Sequence, residues 1–464
     1  MENWALLELR NSRVGKAIVP GISKLLLNLH SMPGASFSVA AGNAVRQTFG
    51  RLDAGSKTTR YEPEDIFAGH TSQTAIRCKH YLENDDTILV IQDTTHMDYT
   101  NLNKVQDLGG CNSTKDKAIF GHSALAVGAN GTLLGILHLE LWTRDNEQFG
   151  KAANRRQLHI EDKESYRWIS THEACEKQLP ANASVIYVSD READIFPYLA
   201  RPRTAGSHLL VRANRPRRVE IASPPGDQER ALLFDAISQS QVRGSVIVDV
   251  PRSANRENSK INLEVQYEKM RFLPPVNNLD AGKDSLEIWV IRARETCPPE
   301  GETAIEWVLN TTKQINSLQE AIQMVGFYSK RWLIERFHYT LKSGGCNVEK
   351  LQMETARALK LAITAYYIVA WRILQTTYAI RLTPQAPAGE ILSPIEIRIL
   401  ERLHKKPVKT CRDVMNAVGK LAGYEHYEGG RPAGVKKLWN GFRELAILVK
   451  GYYIAIDINI PIQD

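Results

Sequence analysis

The chain of 464 residues contains no CxxC pair: its six cysteines, at 78, 111, 175, 297, 346 and 411, lie far apart. That spacing argues against a thiolate zinc site and against a disulfide framework, and it leaves reduced, mostly buried thiols as the reading. Long apolar runs are lacking too. The longest, LAITAYYIVAW at 361–371, falls short of the roughly 20 residues needed to cross a bilayer, so no membrane partner is expected. The first residues do not follow the basic, apolar and small-residue order of a secretory leader, and a cytoplasmic location is expected. There is no internal repeat and no long low-complexity tract. With 43% hydrophobic residues over this length, the chain can bury a sizeable core divided among roughly two to four domains.

Acids fall short of bases, and the net charge is +7. An anionic partner is favoured by this excess, but its placement says more than its size. Residues 201–220 hold Arg201, Arg203, Arg212, Arg215, Arg217 and Arg218 against the single acid Glu220. HKKPVK at 404–409 is a second basic cluster. Either cluster reads as a solvated face or as a surface for an anion.

Hydrophobic periodicity points to an α/β chain. VGKAIVPGISKLLLNLH and AVRQTFGRL carry apolar residues at helical spacing, with Pro20 and the loop SMPGASF as breaks. From residue 87 the pattern turns to strands: TILVIQD, then SALAVGANGTLLGILHLELW with an Asn130-Gly131 hairpin turn, then SVIYVSD, with a helix over about 163–177 between the last two. A second set follows over 207–312: HLLVRAN, GSVIVDV, KINLEVQYEKMRFL, LEIWVIRARE and IEWVLNTT. Their polar alternation predicts antiparallel strands with one solvated face. Ser317 and Glu320 fit a capping box opening a helix that runs to about Lys342. A long apolar helix is predicted from about Glu354 to Arg381, then a proline-rich linker at 382–394, then helices.

Two carboxylates stand out at predicted strand ends, Asp93 after TILVIQ and Asp190 after SVIYVS. Adjacent parallel strands ending in acids would bring two hard oxygen donors to one divalent cation. Singly, a strand-end aspartate is more often a cap for the next helix or turn than a metal ligand. The stretch YSKRWLIERFHYTLK adds a third acid: Tyr328, Arg331, Glu335 and Lys342 sit at offsets 0, 3, 7 and 14. On one helix, at about 100° per residue, these offsets fall within roughly 60° of arc. One reading is a solvated face with an Arg331–Glu335 pair worth about half a kcal/mol. The other is phosphate chemistry, in which Arg331 and Lys342 hold backbone phosphates, Tyr328 donates to one, and Glu335 completes a metal site with Asp93 and Asp190. Three carboxylates around divalent ions suit phosphodiester hydrolysis and transfer.

These residues resemble a family. QDTT with Asp93, SDREADIFPYL with Asp190, PPEGETAIEW with Trp307, and the spacing Y-x2-R-x3-E-x6-K are similar to bacterial insertion-sequence transposases of the DDE type, in the insertion-sequence-four family. The resemblance is clear from about residue 40 to 360 and traceable beyond. The N-terminal segment LRNSRVGKAI departs from it, with Asn11 where an Asp is usual.

The resemblance implies a ribonuclease-H-like catalytic domain interrupted by an antiparallel β insertion, with helical N- and C-terminal domains. The implied boundaries are 1–70 for a DNA-binding domain, 71–206 and 313–382 for the two catalytic parts, 207–312 for the insertion, and 383–464 for dimerisation. Asp93, Asp190 and Glu335 are implied as catalytic acids binding Mg²⁺ or Mn²⁺, two ions per site. Tyr328, Arg331 and Lys342 are implied as phosphate contacts, Trp307 as the stacking surface for a flipped base, and Arg212 as a further DNA contact. The implied reaction is nicking, hairpin formation, hairpin opening and strand transfer, by a homodimer acting on the element's ends and on target DNA. His122, His338, Glu192 and Asp194 read as structural. A catalytically inactive descendant acting as a DNA-binding protein or transposition inhibitor is the main alternative, followed by a general nuclease and, further off, a glycosidase with paired carboxylates.

Overall fold

A computed structural model describes residues 4–31, 61–84, 87–145, 158–222, 228–250, 260–276, 284–425 and 432–457 except 106 and 114, with positions 37, 42, 47, 49, 50 and 280 besides. Most of the helix predicted over AVRQTFGRL and most of the SMPGASF loop lie outside them.

Among the described residues, eleven strands form one sheet. In chain order they are β1 (Ile88–Asp98), β2 (Ala118–Gly128), β3 (Leu133–Trp142), β4 (Val185–Ser189), β5 (Ser207–Arg212), β6 (Arg218–Ala222), β7 (Gln228–Leu232), β8 (Val242–Asp249), β9 (Lys260–Phe272), β10 (Leu286–Glu295) and β11 (Glu306–Thr311). The spatial order is β3-β2-β1-β4-β5-β11-β10-β9-β6-β7, with β8 attached to β9. β1, β4 and β5 are mutually parallel; every other pairing is antiparallel. The hairpin between β2 and β3 turns at Asn130-Gly131 as the sequence predicts. Gly131 takes φ 100°, and the Asn130 side chain accepts from Thr132 N–H.

Strand β1 shows why a continuous apolar run becomes the centre of this sheet. Side chains alternate across a strand, and here both faces are covered. Leu89 and Ile91 join one core, Ile88 and Val90 the other. On the first face lie α1 (Trp4–Glu8), α2 (Val19–Ser31), α3 (Pro63–Leu82), α7 (Leu318–Ser329), α8 (Trp332–Lys342) and α9 (Ala356–Leu382); on the second lie α4 (Arg167–Glu176), α5 (Phe196–Ala200) and α6 (Leu233–Gln239). A third core forms under α10 (Pro394–His404), α11 (Cys411–Leu421) and α12 (Val435–Asp457).

Four local readings change. Pro20 opens α2 instead of breaking it, because proline's missing N–H has no partner to lose in a first turn. β5 is parallel to β4 and antiparallel only to β11, so the strands after it continue the same sheet. Asp93 does not end its strand: β1 runs on to Asp98 along β2, although its pairing with β4 stops at Ile91↔Val188. The helix opened at Ser317 stops at Ser329 and restarts at Trp332, leaving Lys330 and Arg331 between α7 and α8. Ser317 does cap it, accepting from Glu320 N–H, while the Glu320 carboxylate turns to Asn316 N–H.

Candidate active site

Asp93 and Asp190 reach the same end of the sheet from neighbouring parallel strands, each two residues past the last paired position. Each carboxylate is fixed by a nearby amide. Asp93 Oδ1 accepts from Thr94 N at 2.8 Å, and Asp190 Oδ1 accepts from Glu192 N at 2.9 Å as the cap of a short 3₁₀ turn. Glu335 arrives from α8, one turn past the break, where its carboxylate takes an ion pair from Arg331. The Asp93 carboxyl is pushed up to about 7 by burial and by Asp190, with Glu335 adding to it; the Arg331 guanidinium and the Thr94 amide pull the other way. Two acids far away in sequence, Asp190 and Glu335, therefore act on Asp93.

Trp307, Arg212, Tyr328, Arg331 and Glu335 line one cleft of about 550 Å³, joined by Arg191 and Asp249. Arg212 donates to the Glu306 carbonyl at 3.0 Å and engages the Tyr328 hydroxyl. Tyr328 is buried, and burial raises its phenol while Arg331 and Arg212 draw it down. Trp307 meets it edge-on. Lys342 is placed apart: its ammonium donates to the His96 carbonyl at 2.8 Å and pairs with Glu349 at 3.0 Å, three turns along from Arg331. Lys342 shares α8 with Glu335 but lies two turns further along it, so the four-residue stripe divides into a cleft-facing group and one outlier.

The residues read as structural have their partners. Burial holds His122 well below the usual imidazole range, between Thr94 and Gln92. His338 is lowered to about 3 by burial, with Lys342 and Arg331 adding, so at 3.7 Å from Asp93 it is a neutral neighbour. Asp194 is buried and binds Arg217 at 2.6 Å together with the amides of Asn214 and Arg215. Several arginines of the 201–220 cluster are likewise used internally: Arg201 pairs with Glu173, Arg203 caps the Leu199 carbonyl and Arg217 holds Asp194.

One residue carried no signal in the sequence. Arg167, inside a predicted helix, reaches Thr94 Oγ1 at 2.9 Å and Glu192 Oε2 at 2.7 Å. Its partners come from a strand and a turn that no local pattern links to it.

A model of the transposase DDE domain matches residues 85–372, more than half of the chain. The chain belongs to the DDE transposase family. The match runs from β1 into α9 and so includes Asp93, Asp190 and Glu335 of this transposase. Enzymes of this family generally use divalent metals. The donor set fits such an ion in its chemistry, because the Asp93 carboxyl, crowded by Asp190 and Glu335, gains from a cation among the three hard oxygen donors. Among the described residues, however, no three His, Cys, Asp or Glu side chains already stand together as ligands, and Glu335 is turned to Arg331. A solved structure of a piggyBac transposase synaptic complex with hairpin DNA shares 11% identity over 99% of this chain and 85% of that one, at a TM-score of 0.32. No helix among the described residues is long and apolar enough to cross a membrane.

Proposed function

We propose that this transposase performs cut-and-paste transposition in the manner of the insertion-sequence-four family, and that it is similar to the transposase of transposon five. The single observation that carries the reading is the placing of Asp93 and Asp190 on neighbouring parallel strands, each two residues past the last paired position, with Glu335 lining the cleft beside Arg191. A structural caps-only role for these acids gives no reason to gather them. The run of three antiparallel strands followed by two parallel ones, β3-β2-β1-β4-β5, supports a ribonuclease-H-like catalytic domain, with the insertion beginning after β5 instead of at residue 207 and comprising β6 to β11.

Asp93, Asp190 and Glu335 would hold Mg²⁺ or Mn²⁺, two ions, which when bound supply activation of the attacking oxygen and neutralisation of the leaving one. The protein's own groups do the rest. Arg331 and Arg212 face the cleft and bind phosphates of the element end. Tyr328, buried against Trp307, donates its hydroxyl at a fixed position. Trp307 stacks on a base turned out of the duplex, which suits hairpin formation. Lys342 contacts a phosphate only on leaving Glu349. Nicking, hairpin formation, hairpin opening and strand transfer are each in-line displacements at phosphorus, so one site serves all. Residues 1–70 read the end sequence. Homodimer contact falls to α12, which exposes Ile447, Leu448, Tyr453, Ile454 and Ile456.

The decisive experiment incubates the purified chain and Mg²⁺ with DNA carrying the element's terminal inverted repeats. Cleavage at both ends is expected, with Glu335→Gln abolishing it while end binding persists; unchanged cleavage in that variant would overturn the assignment. The Arg331–Glu335 pair favours a second reading, a catalytically inactive descendant that binds ends and inhibits transposition. That protein binds the same DNA and never cuts it.

A further inference from the structure

The pairing of β1 with β4 ends at Ile91↔Val188, two residues before each aspartate. Beyond that point no pairing of β1 with β4 fixes the separation of Asp93 from Asp190. Arg167 spans the gap. Its Nε donates to Thr94 Oγ1 at 2.9 Å, its Nη2 to Glu192 Oε2 at 2.7 Å, and its Nη1 to the Glu164 carbonyl at 2.9 Å. Thr94 and Glu192 are the residues whose amides hold Asp93 and Asp190.

We propose that Arg167 is a positioning residue that sets the distance between Asp93 and Asp190 by clamping the two residues whose amides orient them. The proposal rests on the reading of both aspartates as metal ligands.

The direction of the hydrogen bonds argues for a clamp and not an incidental contact. Guanidinium only donates, so the Thr94 oxygen accepts from Arg167 and its one hydroxyl proton goes to His122 Nδ1, 2.8 Å away. His122, kept neutral by burial, then carries its proton on Nε2, which faces Gln92 Oε1 at 3.3 Å. Gln92 in turn donates to the Tyr198 hydroxyl at 3.3 Å. Thr94 is thus held on both sides, with one tautomer throughout. The planar fork reaches three acceptors at once, a geometry that a lysine ammonium on a flexible stem does not reproduce. Arg167 is itself only 11% exposed and lies beside Trp142 and Trp168.

The test measures Mn²⁺ binding to the full chain without DNA, by electron paramagnetic resonance, alongside thermal melting. Support of metal ligands by outlying hydrogen bonds typically matters about 10- to 100-fold in affinity. Arg167→Lys and Thr94→Val are expected to weaken Mn²⁺ binding by at least that lower factor at a temperature where every variant is folded. Thr94→Ser, which keeps the hydroxyl, is expected to stay within about threefold of the native chain. Glu192→Ala removes an exposed carboxylate and safeguards the test against misfolding; a loss of fivefold or more is expected. If Arg167→Lys, Thr94→Val and Glu192→Ala all bind within twofold of the native chain, Arg167 positions nothing. Asp93→Asn separates the two ideas: unchanged binding there sinks the metal-ligand reading, whereas lost binding there with intact binding in the Arg167 variants sinks the clamp alone.

Discussion

The Trp307 indole stands edge-on to the Tyr328 ring, their centroids 5.1 Å apart and their planes at 67°, at the wall of the cleft that Glu335 also lines. Trp307 keeps part of its surface open, which is what a stacking platform needs. Base–aromatic stacking is worth about 1–3 kcal/mol. Trp307→Ala should therefore slow the hairpin step by roughly tenfold or more while leaving first-strand nicking within a few-fold, as resolved on denaturing gels of the cleavage products. Equal loss at both steps would count against a base-binding role.

Tyr328→Phe keeps the packing against Trp307 and removes the hydroxyl that Arg212 engages. Its melting temperature should stay within a few degrees of native, since the buried ring is retained. DNA binding should weaken by about tenfold or more, the scale of one charge-assisted hydrogen bond. A native binding constant would place the hydroxyl outside the DNA contact.

Asp93 gives a dependence on pH. Its carboxyl rises from the ordinary 3.8 to about 7 on folding, chiefly through burial and Asp190. The folded state therefore prefers the neutral acid, and that stabilisation is complete below the unfolded value and fades as pH climbs from about 4 through 7. At about 1.4 kcal/mol per unit, the loss is a few kcal/mol at most. Metal-free protein should melt at lower temperature at pH 7.5 than at pH 5, and Asp93→Asn should flatten the difference. A native slope in Asp93→Asn would show that the repulsion lies elsewhere.

The N-terminal helix is held to the catalytic body by a buried carboxylate. Glu8, 3% exposed, binds His70 Nδ1 at 2.5 Å and Arg77 Nη1 at 2.7 Å, and His70 Nε2 accepts from Ile136 N. Removing one member of a buried charged network costs about 3–5 kcal/mol because the others stay behind unpaired. Glu8→Ala should lower stability by that amount in denaturant melts, with Glu8→Gln losing less. A change under about 1 kcal/mol would mean that the helix docks through its apolar contacts alone.

Much of this protein was legible along the chain. The apolar runs ending in Asp93 and Asp190, the Asn130-Gly131 turn and the capped helix at Ser317 are short-range features, written in the residues that form them. Their signals survive because a strand's alternation, a turn's glycine and a cap's hydroxyl act within a few positions. The spacing of Tyr328, Arg331 and Glu335 was legible for the same reason, and it led to the cleft. Tertiary structure alone decided three other matters. It broke the helix at Lys330 and Arg331, and it tied Lys342, two turns beyond Glu335 on α8, to Glu349, so a shared helix face did not bring Lys342 to the cleft. It ran β5 parallel to β4 and carried one sheet on through β11. It also brought Arg167 onto Thr94 and Glu192. Sequence fixes which groups are present and how neighbours are spaced, but a guanidinium chooses its acceptors by distance in space, and those distances exist only once the sheet and its covering helices have closed on each other.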